Sequence, residues 1–84
     1  MRTFIIVLID DYANSTRKLL KTATYRDVLD YMESEMAARD GRPGRNRRPL
    51  VSAVIRDTFD GKLSHYVIDG LRAVLVTPDL FHNR

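Results

Sequence analysis

The chain has 84 residues, of which 44% are apolar and 30% charged, so it has the size of one small domain and too many apolar residues to be disordered by default. It contains no cysteine, which excludes a disulfide framework and a thiolate zinc site and is typical of a cytoplasmic protein. The longest apolar run is far too short to cross a bilayer, the N-terminus lacks a signal-peptide pattern, and the net charge of +3 is a mild excess.

The first predicted element is a strand over residues 3–9, where apolar residues, mostly β-branched, follow one another without a polar break after Thr3. Because neither face of this strand carries polar side chains, we expect both faces to be buried. Asp10 and Asp11 follow the strand, and Asn14 and Ser15 add further residues that are typical of turns.

Residues 17–23 predict a second strand that returns beside the first. The spacing of Leu19, Leu20 and Ala23 also fits a helix, so a helix that extends back to Ser15 is the competing interpretation.

Residues 24–40 predict the only helix, with Thr24 as its N-cap and Asp27 in its first turn. Gly41 can end the helix and Pro43 prevents it from continuing. The apolar residues recur at spacings of three and four and so fall on one face: Tyr25, Val28, Leu29, Met32 and Met36. A helix of this kind needs a flat apolar surface to cover its apolar face.

Residues 50–59, 62–68 and 71–77 predict a C-terminal β-meander, because Asp-Gly pairs at 60–61 and 69–70 separate the three apolar runs. The predicted fold is therefore a small α+β domain, ββαβββ, with one helix packed on a mostly antiparallel sheet. The domain covers residues 1–78, and residues 79–84 form a tail.

The turns also predict a register. If each Asp-Gly pair is a two-residue loop, Phe59 opposes Lys62 and Ile68 opposes Leu71. One face then carries the residues that receive the helix, namely Ala53, Ile55, Phe59, Tyr66, Ile68, Leu71, Ala73 and Leu75. The opposite face carries Val54, Arg56, Thr58, Leu63, His65, Val67, Arg72, Val74 and Val76.

On that opposite face, the predicted register places Arg56 across from His65 and Arg72 across from Val67. These three potentially cationic side chains, in apolar company, could form a second contact patch for a protein partner. The competing interpretation is a solvated sheet face with ordinary surface charges.

The most distinctive segment is a predicted flexible loop at residues 39–49, which has five arginines and one acid, whereas residues 24–38 carry one arginine and four acids. Arginine forms bidentate contacts with phosphate and carboxylate, so Arg39, Arg42, Arg45, Arg47 and Arg48 predict an anionic partner. A loop whose charge only aids solubility is the alternative. No aromatic side chain lies between the arginines to stack on bases.

Enzymatic chemistry has little support. Asp10 and Asp11, supplemented by Asp57 and Asp60, could hold Mg²⁺ in a nuclease-like site, but a turn after a strand explains the first pair as well. The chain has no nucleophile motif and no phosphate-binding glycine motif, so we predict no catalytic residue, no metal and no cofactor.

The segment TATYRDVLDYME at residues 22–33, after an opening hairpin, resembles a pattern in small phage-encoded proteins that inhibit bacterial RNA polymerase. The resemblance covers about a third of the chain and rests mainly on a capping box, and it transfers no binding residue. It implies a non-enzymatic protein that interacts with host components.

The function predicted from the sequence is a non-catalytic binding protein, of the phage inhibitor or modulator type, that occludes an acidic or nucleic-acid-binding surface of a host complex. A module that grips the phosphates of DNA or RNA without reading bases is the alternative, and a metal-dependent nuclease comes third. We expect no membrane partner, and an edge strand of the meander could pair with a second copy.

Overall fold

Two strands, a helix and three further strands follow one another along the chain, as the sequence predicts. The computed structural model describes residues 2–21, 23–40 and 47–76. The elements are β1 (Phe4–Asp10), β2 (Ser15–Leu20), α1 (Tyr25–Arg39), β3 (Leu50–Asp57), β4 (Leu63–Asp69) and β5 (Arg72–Val76). The strands form one antiparallel sheet in the order β2-β1-β3-β4-β5. The ββαβββ fold is thus confirmed, and the predicted tail at residues 79–84 lies outside the described residues.

Strand β1 buries one face rather than two. Phe4, Ile6 and Leu8 are at most 2% exposed, whereas Ile5 and its neighbours on the other face are half-buried. The prediction that both faces are covered was wrong because the single helix lies on one side of the sheet only. The apolar residues of the other face therefore reach the molecular surface.

Residues 15–20 form the strand β2, and the competing helical interpretation of this segment is wrong. The strand pairs with β1 from Ser15 opposite Ile9 to Leu20 opposite Phe4. Its helical spacing of leucines is overridden by this pairing, which satisfies the backbone of β2 along one edge.

The helix begins as predicted. Thr24 Oγ1 accepts a hydrogen bond from the N–H of Asp27 at 3.1 Å, and Asp27 Oδ2 accepts one from the N–H of Thr24 at 2.8 Å, which completes a capping box. The last helical residue is Arg39, and the Asp40 N–H still bonds the Met36 carbonyl. The predicted stop signals, Gly41 and Pro43, lie outside the described residues.

The core lies between α1 and the middle of the sheet. Val28, Met32 and Met36 are buried on the helix, which packs against β1 and β3. Their buried apolar neighbours on the sheet are Phe4, Ile6, Leu8, Leu50, Ala53, Ile55, Tyr66 and Ile68. The predicted stripe and meander face supply part of this core, but Tyr25 and Leu75 are exposed.

Polar contacts join the helix to the sheet side at both ends. At its start, the hydroxyls of Tyr25 and Tyr66 lie 2.5 Å apart, and burial together with this hydrogen bond raises the pKa of Tyr66. At its end, Arg39 Nη1 donates to the Arg48 carbonyl at 3.2 Å. These directional contacts fix the helix in one position along the strands.

The β3–β4 connection differs from the predicted two-residue loop. Strand β3 ends at Asp57, the Asp57 N–H bonds the Lys62 carbonyl, and residues 58–61 form the turn. Phe59 is therefore in the turn and 73% exposed rather than on the helix side of the sheet. The strong side-chain interactions of Asp57 explain this end, because its carboxylate accepts from the Phe59 N–H and from Arg2.

The β4–β5 connection is a two-residue turn, but its central residues are Gly70 and Leu71 rather than Asp69 and Gly70. Asp69 opposes Arg72, and the positive φ of 63° at Gly70 fits the first central position of a type II′ turn. Leu71 lies in this turn and is 66% exposed rather than buried under the helix. Both registers differ from the predicted ones by two residues, so each strand residue keeps its predicted face.

We expect Met32→Ala to destabilise the fold by roughly 2–5 kcal/mol, because it leaves a cavity where the helix meets the sheet. Urea unfolding followed by circular dichroism measures the change. The matched control is Ser34→Ala on the exposed side of the same helix. Equal stability of the two variants would mean that the contact between helix and sheet does not hold the fold together.

Candidate binding surface

The side of the sheet that faces away from α1 carries no covering element in the described part of the chain. We call this side the open face. The register places the following residues on it: Ile5, Val7 and Ile9 of β1, Ser15, Arg17 and Leu19 of β2, Ser52, Val54 and Arg56 of β3, Leu63, His65, Val67 and Asp69 of β4, and Arg72, Val74 and Val76 of β5. Most of these residues are apolar.

Apolar side chains on the open face are substantially exposed. Leu63, Val67 and Val74 are each about half exposed, at 53%, 47% and 49%. Val67 and Val74 oppose each other on neighbouring strands, and Leu63 lies two strand positions beyond His65, opposite Arg56. Exposed apolar side chains that alternate with charged ones on one sheet face are typical of a protein-binding surface.

Basic side chains are distributed among these apolar ones. Arg17, Arg56, His65 and Arg72 lie on it, and Asp69 is the one acidic residue among the open-face positions. The sequence analysis missed Arg17, because its strand was not assigned to a face. Arg17 and Leu19 are two residues apart in the same strand, so they lie on the same face, and this spacing could have identified Arg17.

The cationic residues do not lie in the predicted register. Arg56 opposes Leu63, whereas His65 opposes Val54 and Val76, so the predicted direct Arg56–His65 pairing is wrong. The two side chains are instead diagonal neighbours, about 7–8 Å apart by the usual geometry of a sheet.

Arg72 opposes Asp69 at the β4–β5 turn, and the predicted pairing of Arg72 with Val67 is also wrong. The longer β3–β4 turn and the shifted β4–β5 turn cause both differences. All three predicted residues, Arg56, His65 and Arg72, nevertheless share the face to which the sequence assigned them.

The predicted arginine loop is not uniformly available to a partner. Arg39 lies in the helix with its side chain 11% exposed, and its guanidinium lies 3.5 Å from Glu35. Its Nε is buried without a hydrogen-bond partner, while Nη1 bonds the Arg48 carbonyl. Arg39 therefore joins the end of the helix to the start of β3.

Arg48 is engaged by the β1–β2 turn. Its Nε and Nη2 donate to the two Asp11 carboxylate oxygens at 2.7 and 3.0 Å, and its guanidinium lies 3.9 Å from the centre of the Tyr12 ring. The hydrogen bond to Arg48 lowers the pKa of Asp11 and raises that of Arg48. A bidentate pair with an aromatic stack is among the strongest contacts that a partly exposed arginine makes.

Arg47 is exposed, and Arg42 and Arg45 lie outside the described residues. The structure therefore supports a smaller set of accessible arginines near β3 than the sequence predicts. The difference arises because Asp11 and Tyr12, which hold Arg48, come from a distant turn.

Asp10 and Asp11 do not form a joint cation site. Asp10 is buried, and its Oδ1 accepts hydrogen bonds from the N–H groups of Tyr12 and Asn14, both at 2.9 Å. Its Oδ2 accepts from the Asn14 side chain, and Asp11 is paired with Arg48. Within residues 2–21, 23–40 and 47–76, no three His, Cys, Asp or Glu side chains converge on a point where they could hold a metal ion.

A shallow groove of about 440 Å³ lies between α1 and β5, on the side of the sheet that carries the helix. It is lined by Glu33 and Met36 of the helix and by Leu71, Arg72 and Ala73 of the β5 hairpin. The helix packs mainly against β1 and β3.

Comparison of the chain with protein-family models, with curated proteins and with solved structures gives no match. The resemblance to phage inhibitors of RNA polymerase therefore stays a prediction. No helix in the described ranges is both long enough and apolar enough to pass through a bilayer.

The interactions of Asp10 predict an acid-dependent stability. Burial raises its pKa, but the hydrogen bonds from Asn14 and Tyr12 outweigh that effect, so the pKa of Asp10 lies below its usual value. The charged form therefore stabilises the fold above the unfolded-state pKa of about 3.9, and this contribution is lost as the pH falls through the lowered value.

We expect Asp10→Asn to be less stable than the wild type at pH 7, with a gap that narrows below about pH 4. Urea midpoints measured from neutral to acidic pH test this, with Asp30→Asn on the exposed helix surface as the control. A gap that stays constant over the whole range would contradict the role assigned to the Asp10 carboxylate.

Proposed function

We propose that this protein is a non-catalytic binding protein that docks its open face on an apolar, acid-rimmed surface of another protein. The observation that carries the proposal is the composition of the open face, where exposed aliphatic side chains are interspersed with three arginines, a histidine and a single acid. The proposed role needs no reactive group and no bound metal.

The physical argument combines apolar burial with charge. Covering Leu63, Val67 and Val74 would release water from apolar surface, which favours association. The cations placed among them would be costly to cover without partners, so the complementary surface must offer carboxylates. Arg17 lies on the edge strand β2 and Arg56 near the end of the central strand β3, so the acids of the partner must be spread over its surface.

Exposed Arg47 supplies a further cation at the entry to β3, and Arg42 and Arg45 are close to it in the sequence. We propose that these arginines add long-range attraction to an acidic partner, which raises the association rate at low salt. In this proposal the open face provides most of the affinity and the arginine segment contributes to the encounter.

Nucleic acid is the second candidate, favoured by the sequence pI of about 9.6. Its weakness is the absence of any aromatic side chain among the open-face positions, since sheets that bind single strands stack bases on exposed rings. Two exposed aromatic rings, Tyr12 and Phe59, already lie against Arg48 and Arg2. We therefore favour a protein partner.

The resemblance to phage inhibitors adds a specific hypothesis about the consequence of binding. The acidic surface of the partner could lie beside a basic nucleic-acid site, or it could position a substrate. In either case, the open face would inhibit the partner by occluding this surface. The hypothesis requires no conformational change in either protein.

Charge reversal tests the proposal. Arg56→Glu should weaken binding to the protein partner by at least roughly tenfold, because it places an acid against an acidic surface from the central strand of the open face. Arg26→Glu makes the same change in charge on the opposite side of the molecule, where Arg26 contacts Asp30 and Glu33, and should have little effect.

The partner is obtained by retention from a nuclease-treated bacterial lysate on immobilised wild-type protein, and affinities are then measured with the purified partner. In parallel, fluorescence anisotropy with generic DNA and RNA over a salt series tests the second candidate. Tight nucleic-acid binding that Arg56→Glu abolishes would show that the open face binds nucleic acid rather than a protein. Equal affinities of Arg56→Glu and Arg26→Glu for the partner would show that the open face is not the binding surface.

A further inference from the structure

The two edges of the sheet have different chemical character. Strand β2, at one edge, is exposed along its length and carries Arg17 and Lys18 in its middle. Strand β5, at the other edge, has Arg72 at its start followed by four apolar residues at 73–76. Charged side chains in the middle of an edge strand discourage pairing with another chain, so within residues 2–21, 23–40 and 47–76 the unprotected edge is β5.

The phase of the β4–β5 ladder determines which backbone groups of β5 are free. A two-residue turn closes with a hydrogen bond between its flanking residues, here Asp69 and Arg72. Because bonded and non-bonded pairs alternate in an antiparallel ladder, the backbone groups of Ala73 and Leu75 point away from β4. These two residues offer the donors and acceptors of the free edge.

We propose that a second copy of this chain pairs with β5 in antiparallel orientation about a two-fold axis at Val74. In this register Ala73 of each copy opposes Leu75 of the other, so the outward backbone groups of both residues find partners. Arg72 opposes Val76 of the other copy, and no two like charges face each other across the new ladder.

The helix-side groove favours this occupant and this register. Ala73 is small, and it lines the groove beside Met36. Leu75 lies on the same side of the sheet as Ala73 and is 47% exposed. With Leu75 of the second copy directly opposite Ala73, its side chain would be placed next to the groove, so each copy supplies both an apolar projection and the recess beside it.

The pairing would give a continuous ten-stranded sheet with both helices on one side and both open faces on the other. The interface is a five-residue strand with one groove contact per copy, which is small compared with interfaces of permanent dimers. The dimer should therefore form in the micromolar range and exchange with monomer.

Disulfide trapping tests the register. The chain has no cysteine, so Val74→Cys introduces a single thiol at the proposed two-fold axis. Directly opposed residues in a non-bonded antiparallel pair have α-carbons about 4.5 Å apart, which permits a disulfide. Oxidised glutathione accepts the two electrons and leaves as two glutathione thiols.

The matched control is Val67→Cys, on the neighbouring strand of the same face, where the valine is 47% exposed compared with 49% for Val74. We expect Val74→Cys to form the covalent dimer faster by on the order of tenfold or more, because pairing holds its thiols together. Equal rates for the two variants would overturn the proposed register.

Sedimentation velocity of the unmodified chain tests the pairing itself, from about 5 to 500 µM. The wild type should shift from monomer towards dimer, and Leu75→Lys should remain monomeric because it places a charge at the groove. Leu19→Lys on the other edge starts from the same 47% exposure and should dimerise as the wild type does. A wild type that is monomeric throughout, or dimerisation that persists in Leu75→Lys, would refute the proposal.

Discussion

One helix is too narrow for the sheet that it covers, and the rest of the surface follows from this constraint. A helix with side chains is about 10–12 Å wide, whereas five strands at 4.8 Å spacing span about 19 Å between the axes of the outermost strands. Helix α1 therefore covers β1 and β3 and leaves β5 beside a groove. The reverse side of the sheet receives no cover in the described residues, which explains why apolar side chains of interior strands reach solvent.

The amino-acid sequence predicts the helix and strands well where local signals, such as caps and apolar spacing, determine them. The capping box formed by Thr24 and Asp27 fixes the start of the helix, and the buried positions Val28, Met32 and Met36 follow from helical spacing. The Asp-Gly pairs correctly indicate two hairpins, but the residues at the centre of each turn depend on tertiary contacts. Asp57, for example, is held by Arg2, which the sequence places 55 residues away.

The sequence correctly predicted which face of the sheet carries each basic residue, but it did not predict which residues lie opposite one another. Both register errors equal two residues, and side chains alternate between faces with a period of two, so Arg56 and His65 kept their side while losing their direct pairing. The arginine segment shows a different limit. Charge counting cannot reveal that Asp11 and Tyr12 hold Arg48, because these contacts exist only once β1 and β3 are neighbours.

The hydrogen bonds at the two ends of α1 have a consequence for how the core can vary. Burial of methionine and valine side chains is non-directional and permits many placements of a helix on a flat sheet. The Tyr25–Tyr66 hydroxyl pair and the bond from Arg39 to the Arg48 carbonyl select one placement. The orientation of the helix is thus specified at its ends. The buried methionines Met32 and Met36 can therefore be replaced by residues of similar volume without rotation of the helix on the sheet.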